Sequence, residues 1–327
     1  MRNANQVGDT VRQESEPAPL SAPDAPSIAA EPGDVRISTE FREALQNTLR
    51  TKKKAKPAAK REKFDIQLDR HEAKYVIPPR MVAEIRDFIR PFCERDPYGI
   101  GNPPEYVITT LQLDNEEYSL HRAREREVTA RFKLRSRIYG TPGDSPVFLE
   151  IKKKIRGSII KTRAKVPFEA WGEELIRSVK LTLPFKSRKE EAAFLEFVRL
   201  TREIGAAPKV LIRYIRESYF GTNDSYARVT FDRQLQYQPT DSWTSWGRGG
   251  TWMPIDTPLT QNKSQTFSGV VLELKTLSDA PQWMIDLVRY FHLERTGHCK
   301  YSNAIWQEGL FSGEPEPPIY EDSLLQW

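Results

Sequence analysis

Beyond residue 64 the chain alternates apolar and polar positions with a period of two, the signature of half-buried strands. The alternation predicts strands over 65–77, 106–113, 129–139, 147–154, 159–166, 210–220, 226–231 and 269–276. Between them the apolar spacing changes to three and four. Met81, Val82, Ile85, Phe88 and Ile89 share one side of a helix that begins after Pro78-Pro79. Residues 170–180 and 188–204 read as a helical block that stops at Gly205. A last helix over 281–293 gathers Trp283, Met284, Leu287, Val288 and Phe291 on one side. No internal repeat is visible. The pattern is that of an α+β domain with more strand than helix.

The flanks lack this pattern. Residues 1–63 hold five prolines in the first 32 positions, Phe41 as their one aromatic, and a lysine-rich run from Thr51 to Lys63. Such a segment cannot bury enough apolar surface to fold alone. We read it as a basic arm, with a short helix over 38–50 and a polyanion tether as its functional alternative. Residues 308–327 read as an acidic tail, since no Lys or Arg follows Lys300. The domain is therefore expected over 64–307. Within it, residues 234–268 form an insertion rich in Gly, Pro and Trp. A loop packed over the end of a sheet accounts for Trp243, Trp246 and Trp252; a purine-stacking platform is the alternative.

Composition narrows the class. At 327 residues the chain has room for a sizeable core, and 38% hydrophobic with 29% charged residues describes a water-exposed globular protein. No apolar run approaches the ~18 residues of a membrane helix, and the first residues show no secretory leader. A cytoplasmic location is expected. Two cysteines, Cys93 and Cys299, make no disulfide framework or zinc spacing, and the four histidines form no HxH or HxxxH pair. The net charge of +5 is not spread evenly: residues 122–165 carry 14 basic and 4 acidic side chains. Charge concentrated this way fits a focused anion site better than a surface coating nucleic acid.

Strand periodicity then sorts the charges. Arg131, Lys133, Arg135 and Arg137 fall on one face, as do Lys161, Arg163 and Lys165. Arg70, Glu72 and Lys74 share a face, and so do Glu150 and Lys152, Arg228 and Asp232, and Glu273 and Lys275. Any one such face could simply meet water. Over six strands, however, like charges on neighbouring strands repel one another. A multiply charged anion among them, or intercalated carboxylates, removes the conflict. A closed antiparallel barrel of about eight strands with a charged lumen provides that geometry, its apolar outside covered by the helices. Arginine and lysine suit phosphate oxygens. Glu273 and Glu72 on the same surface suit Mg²⁺ or Mn²⁺, which prefer oxygen ligands.

Seven short motifs now occur in order: Arg70-His71-Glu72-Ala73-Lys74-Tyr75, Arg135-Ser136-Arg137-Ile138-Tyr139-Gly140, Glu150-Ile151-Lys152 with Lys161-Thr162-Arg163, Tyr214-Ile215-Arg216, Arg228-Val229-Thr230-Phe231-Asp232, Leu272-Glu273-Leu274-Lys275 and Lys300-Tyr301. Over residues 64–303 this set resembles the VTC domain, the polyphosphate-polymerase branch of the triphosphate tunnel metalloenzymes of CYTH-like fold. The resemblance implies a triphosphate tunnel that binds ATP with Mn²⁺ or Mg²⁺ and transfers the γ-phosphate to a growing polyphosphate chain. It implies catalytic roles for Arg135, Arg137, Lys152, Lys161, Arg216 and Arg228. Lys74, Lys133, Arg163, Lys275 and Lys300 become further phosphate-binding residues, with Lys133 and Arg131 nearer the mouth. Glu273 and Glu72 become the metal carboxylates. Three positions depart from the family pattern. Arg70 stands where many tunnel enzymes carry the first glutamate of ExExK, Gln112 where tyrosine is usual, and Cys299 where serine is common.

The expected partners are ATP and polyphosphate, without specific nucleic acid and without an integral membrane segment; the oligomeric state stays open. A tripolyphosphate or nucleoside triphosphate hydrolase would use the same cations and metal. A non-catalytic polyphosphate-binding module is the third reading, disfavoured by a glutamate set among the cations.

Overall fold

The computed structural model describes residues 71–312, apart from 157, 179–182, 225, 248, 258–268 and 278. The basic arm, its short helix, Arg70 and the acidic residues beyond 312 lie outside that range. Ten strands belong to one antiparallel sheet: β1 (His71–Ile77), β2 (Cys93–Arg95), β3 (Glu105–Asp114), β4 (Ala130–Tyr139), β5 (Val147–Ile155), β6 (Ser158–Val166), β7 (Ala207–Gly221), β8 (Arg228–Pro239), β9 (Met253–Pro254) and β10 (Val270–Thr276). Six α-helices accompany them among the described residues: α1 (Met81–Ile89), α2 (Ser119–Glu125), α3 (Glu173–Arg177), α4 (Arg188–Glu203), α5 (Gln282–Tyr290) and α6 (Lys300–Ser312).

The main path of the sheet runs β1-β10-β8-β7-β3-β4-β5-β6, with β2 added to β7 and β9 to β8. It is a strongly curled half-barrel, not the closed barrel expected, for β1 and β6 do not pair among the described residues. Lysines on an edge strand oppose further pairing, and β6 carries Lys161 and Lys165. Side chains bridge the seam instead: Lys152 Nζ on β5 lies 3.5 Å from Glu72 on β1.

Except for α6, the helices cover the outer face. On α1, Val82, Ile85 and Ile89 are buried at helical spacing and join Tyr75, Phe231, Leu272 and Leu287 in one core cluster. On α4, Ser187 caps the first turn by accepting the Glu190 N–H at 3.2 Å, and the helix stops before Gly205 at φ +63°. Its Phe194, Phe197 and Val198 pack with Leu134, Leu149 and Ile151 from the strands. Burying one such side chain stabilises by roughly 2–3 kcal/mol. Helix α6 packs instead on the concave side, where a third cluster holds Ile108, Ile212, Tyr237 and Ala304.

Several boundaries differ from the sequence reading. The helix expected over 170–180 shrinks to α3, after a 3₁₀ turn at Phe168–Ala170, because Gly172 interrupts it with extended backbone. The strand expected to end at 231 continues to Pro239, so the insertion begins inside β8. Helices α2 and α6 were not foreseen, and α6 runs past position 307. The insertion packs as a cover: Trp243 meets Trp171 edge-on at 5.9 Å, and the Arg213 guanidinium lies 4.1 Å from the centre of the Trp252 ring.

Candidate functional site

The concave side of the sheet encloses a cavity of about 1040 Å³. All thirteen residues singled out from the sequence line it: Glu72, Lys74, Lys133, Arg135, Arg137, Lys152, Lys161, Arg163, Arg216, Arg228, Glu273, Lys275 and Lys300. Strand register brings them together. Gln112 pairs with Arg135 and Thr110 with Arg137 across β3 and β4, while Arg135 pairs with Glu150 and Lys133 with Lys152 across β4 and β5. Lys152 in turn pairs with Lys161, and Glu150 with Arg163, across β5 and β6. On the far side Glu72 pairs with Lys275, and Lys275 with Arg228. Arg131 does not line the cavity; its guanidinium donates to the Val128 carbonyl. Nor do Trp243, Trp246 or Trp252.

The lining holds twelve Lys and Arg, Lys189 included, against Glu72 and Glu273. Two more carboxylates stand among the cations. Glu150 has no exposed surface. It accepts from Arg135 Nε at 2.7 Å and Arg163 Nε at 2.8 Å, with Lys161 Nζ at 3.3 Å and Arg137 Nη2 at 3.6 Å. Burial pushes its carboxyl up, yet Arg135, Arg137, Lys161 and Arg163 together hold it far below the usual carboxylate range. Asp232, equally buried, takes both arms of Arg216 at 2.6 and 2.7 Å and Lys300 Nζ at 2.7 Å. Burial raises its pKa, and Arg216 and Lys300 outweigh that, bringing it to about 2.

The cations answer to the same forces. Burial lowers Lys152 to about 8 against the pull of Glu72, with Lys74 and Arg135 adding to the fall. Lys161 falls to about 6, through burial and the neighbouring Arg135, Arg137 and Arg163, against Glu150. Its side chain remains 42% exposed on the open side, which softens the effect. Arg137 is nearly enclosed, and its Nε has no hydrogen-bond acceptor among the described residues. Thr110 Oγ1, on the neighbouring strand, is also unpartnered there. Buried donors without acceptors are costly, and an anion in the cavity would satisfy them.

Glu72 and Glu273 are the candidate metal carboxylates. Glu72 lies 3.1 Å from Lys74 and 3.5 Å from Lys152; Glu273 lies 3.1 Å from Lys275 and 3.4 Å from Arg216. Burial opposes ionisation of Glu273, but Lys275, a hydrogen bond with Glu72, Lys74 and Arg216 hold its pKa well below normal. Among the described residues no three acidic, His or Cys groups form a cage. Mg²⁺ and Mn²⁺ are commonly held by one or two carboxylates plus substrate phosphates. The pair fits that mode, in which the substrate completes the coordination.

The sequence reading did not assign the two buried carboxylates, Glu150 and Asp232, as the hubs around which the cations gather. Their place in the alternating charged faces was the available signal. It also passed over the aromatic faces between cations: Arg228 lies 4.0 Å from the centre of Phe220, Lys300 4.6 Å from that of Tyr214. Cys299, one of the departures, accepts from Lys133 Nζ at 2.8 Å; burial raises its thiol, and Lys133 with Ser302 brings it down to about 5.

A family model for the VTC domain matches residues 69–307. No curated protein matches the sequence. Among solved structures, PH1819 protein from Pyrococcus horikoshii OT3 is similar at 12% identity and a TM-score of 0.37, over 73% of this chain and 99% of that one.

Proposed function

The chain belongs to the VTC domain family, and from that premise we propose that its cavity is the site of a metal-dependent polyphosphate polymerase using ATP. The observation that carries the reading is the lining itself, twelve cations against two carboxylates in one cavity. Even with Glu150 and Asp232 set against them, the excess calls for a ligand with several negative charges.

Phosphoryl transfer asks the protein mainly for positioning and charge neutralisation. Arg135, Arg137, Lys161 and Arg163 crowd one carboxylate and retain unmatched charge for phosphate oxygens. Arg216 and Lys300 are held by Asp232, so their nitrogens stand in fixed places. Glu72 and Glu273 would hold the Mn²⁺ or Mg²⁺, which supplies further neutralisation at the transferred group. A terminal phosphate oxygen acting as acceptor carries no proton that must be removed, so no general base is needed. No described helix is long and apolar enough to cross a membrane, and we place the reaction in the cytoplasm, where ATP is supplied.

The test is incubation with ATP and Mn²⁺ or Mg²⁺, resolving polyphosphate, ADP and free phosphate together. ADP and polyphosphate rising in step support the polymerase. ADP with free phosphate alone identifies a hydrolase of the same fold. Polyphosphate binding without ADP formation leaves a binding module.

A further inference from the structure

Asp114 is buried beside the cavity and pairs with no cation among the described residues. It ends β3, has no exposed surface, and accepts four hydrogen bonds. Three come from the backbone N–H groups of Asn115 at 2.9 Å, Leu120 at 3.0 Å and His121 at 2.9 Å; the fourth comes from the Tyr301 hydroxyl at 2.8 Å. A carboxylate buried on neutral donors alone is expensive. The backbone donors anchor the start of α2, whereas Tyr301 belongs to a different part of the chain.

Tyr301 lies in a segment whose successive residues all reach the cavity. The His298 carbonyl accepts from Lys74 Nζ at 3.1 Å, Cys299 Sγ accepts from Lys133 Nζ, and Lys300 Nζ donates to Asp232. Residues 298 and 299 meet the side chains of Lys74 and Lys133, and Lys300 is held by Asp232. The Tyr301 hydroxyl adds a tie to an acceptor fixed by three backbone groups at the end of a strand. That strand, β3, pairs with β4, which carries Arg135 and Arg137, and with β7, which carries Arg216. The His121 ring packs edge-on against Tyr301 at 6.0 Å and limits its swing.

We propose that Asp114 is a positioning residue: through the Tyr301 hydroxyl it sets the start of α6, and so places Lys300 against the arginines of β4 and β7 for phosphate binding. It touches no substrate itself. The inference rests on the cavity being a polyphosphate site, and the probe is inorganic tripolyphosphate, which needs no turnover.

The experiment is a double-mutant cycle on the full chain, with binding measured by titration calorimetry and folding by thermal melting. Tyr301→Phe keeps the ring and removes the hydroxyl. The dissociation constant for tripolyphosphate is expected to rise about tenfold, the loss of one hydrogen bond to a charged group. In a Lys300→Ala background the same substitution should change binding less than twofold, because no ammonium remains to be placed. A merely structural role would lower the melting temperature and leave the two binding effects independent. Equal effects in both backgrounds, or unchanged binding by folded Tyr301→Phe, would overturn the proposal. Should Tyr301→Phe fail to fold, Asp114→Asn takes its place in the cycle under the same criteria. No binding by the wild-type chain sinks the functional reading and this inference together; wild-type binding with no coupling sinks this inference alone.

Discussion

The two walls of the cavity solve the same electrostatic problem differently. On β4, β5 and β6, six cations (Lys133, Arg135, Arg137, Lys152, Lys161 and Arg163) gather with one carboxylate of their own, Glu150. On β1, β10, β8 and β7 with the start of α6, five cations (Lys74, Arg216, Arg228, Lys275 and Lys300) face three, Glu72, Asp232 and Glu273. The first wall is left short of negative charge and suits phosphate. The second is nearly balanced, its cations held in place and its carboxylates available to a metal. Positive charge alone would bind any polyanion; the asymmetry would give a bound polyphosphate an orientation.

The largest expected effect breaks the first wall at its one acid. Glu150→Gln keeps the shape and leaves four cations without their counter-charge. Removing one partner of a buried ion pair costs 3–5 kcal/mol, and solvent at Lys161 and Arg163 brings the expectation to about 3 kcal/mol. Denaturant unfolding measures it. Tripolyphosphate should restore more stability to this variant than to the wild type, since the ligand replaces the missing charge. Equal ligand-induced shifts would mean that phosphate does not rest on this wall.

Next comes turnover. Arg135→Ala or Arg137→Ala should lose about 2–4 kcal/mol of transition-state stabilisation, as for one preorganised donor. Arg137 should show the larger loss, because it is the more enclosed and its Nε awaits an acceptor. Steady-state kinetics with ATP decide it, and wild-type turnover in both variants would remove these residues from the mechanism.

Strand alternation places Arg135 and Arg137 on one face, and their expected roles follow from the resemblance of the motifs around them. A period of two fixes which side chains share a face, and Lys133, Arg135 and Arg137 of β4 all line the cavity, whereas Arg131 on the same face does not. Alternation does not encode whether the sheet closes. Closure depends on β1 and β6, the two ends of the path, and no local pattern reports their separation. The α6 helix was illegible for a different reason. Its sequence, KYSNAIWQEGLFS, scatters apolar residues around the axis and includes Gly309, so it forms by packing on β7, β8 and α2. Asp114 was hidden too, since its partner is 187 residues away.

On the second wall, Glu273→Gln removes one candidate metal carboxylate and leaves Glu72 alone. Outer-shell changes already cost 10–100-fold in metal affinity, so a lost ligand should weaken Mn²⁺ binding about 100-fold at fixed tripolyphosphate. Paramagnetic titration reads this without turnover. Unchanged Mn²⁺ binding would make Glu273 an ion-pair residue for Lys275 and Arg216, and the two walls would differ only in balance.

The smallest effect is a pH dependence belonging to the first wall. In the empty protein Lys152 sits at about 8 and Lys161 at about 6, both below an ordinary ammonium. A bound polyanion favours the protonated amines and raises both values. Binding therefore takes up protons, and affinity is highest where both amines are already charged. It should fall as pH rises through 6 to 8, by a few-fold overall because Lys161 is partly solvated. Calorimetry in buffers of different ionisation enthalpy measures the uptake directly. Lys152→Met should weaken binding at every pH and flatten the dependence above 7. The matching change on the second wall, Lys275→Met, should leave the slope intact, since it removes neither Lys152 nor Lys161. Affinity that rises with pH after correction for ligand ionisation would reverse the sign, and would mean that phosphate sits against the balanced wall instead.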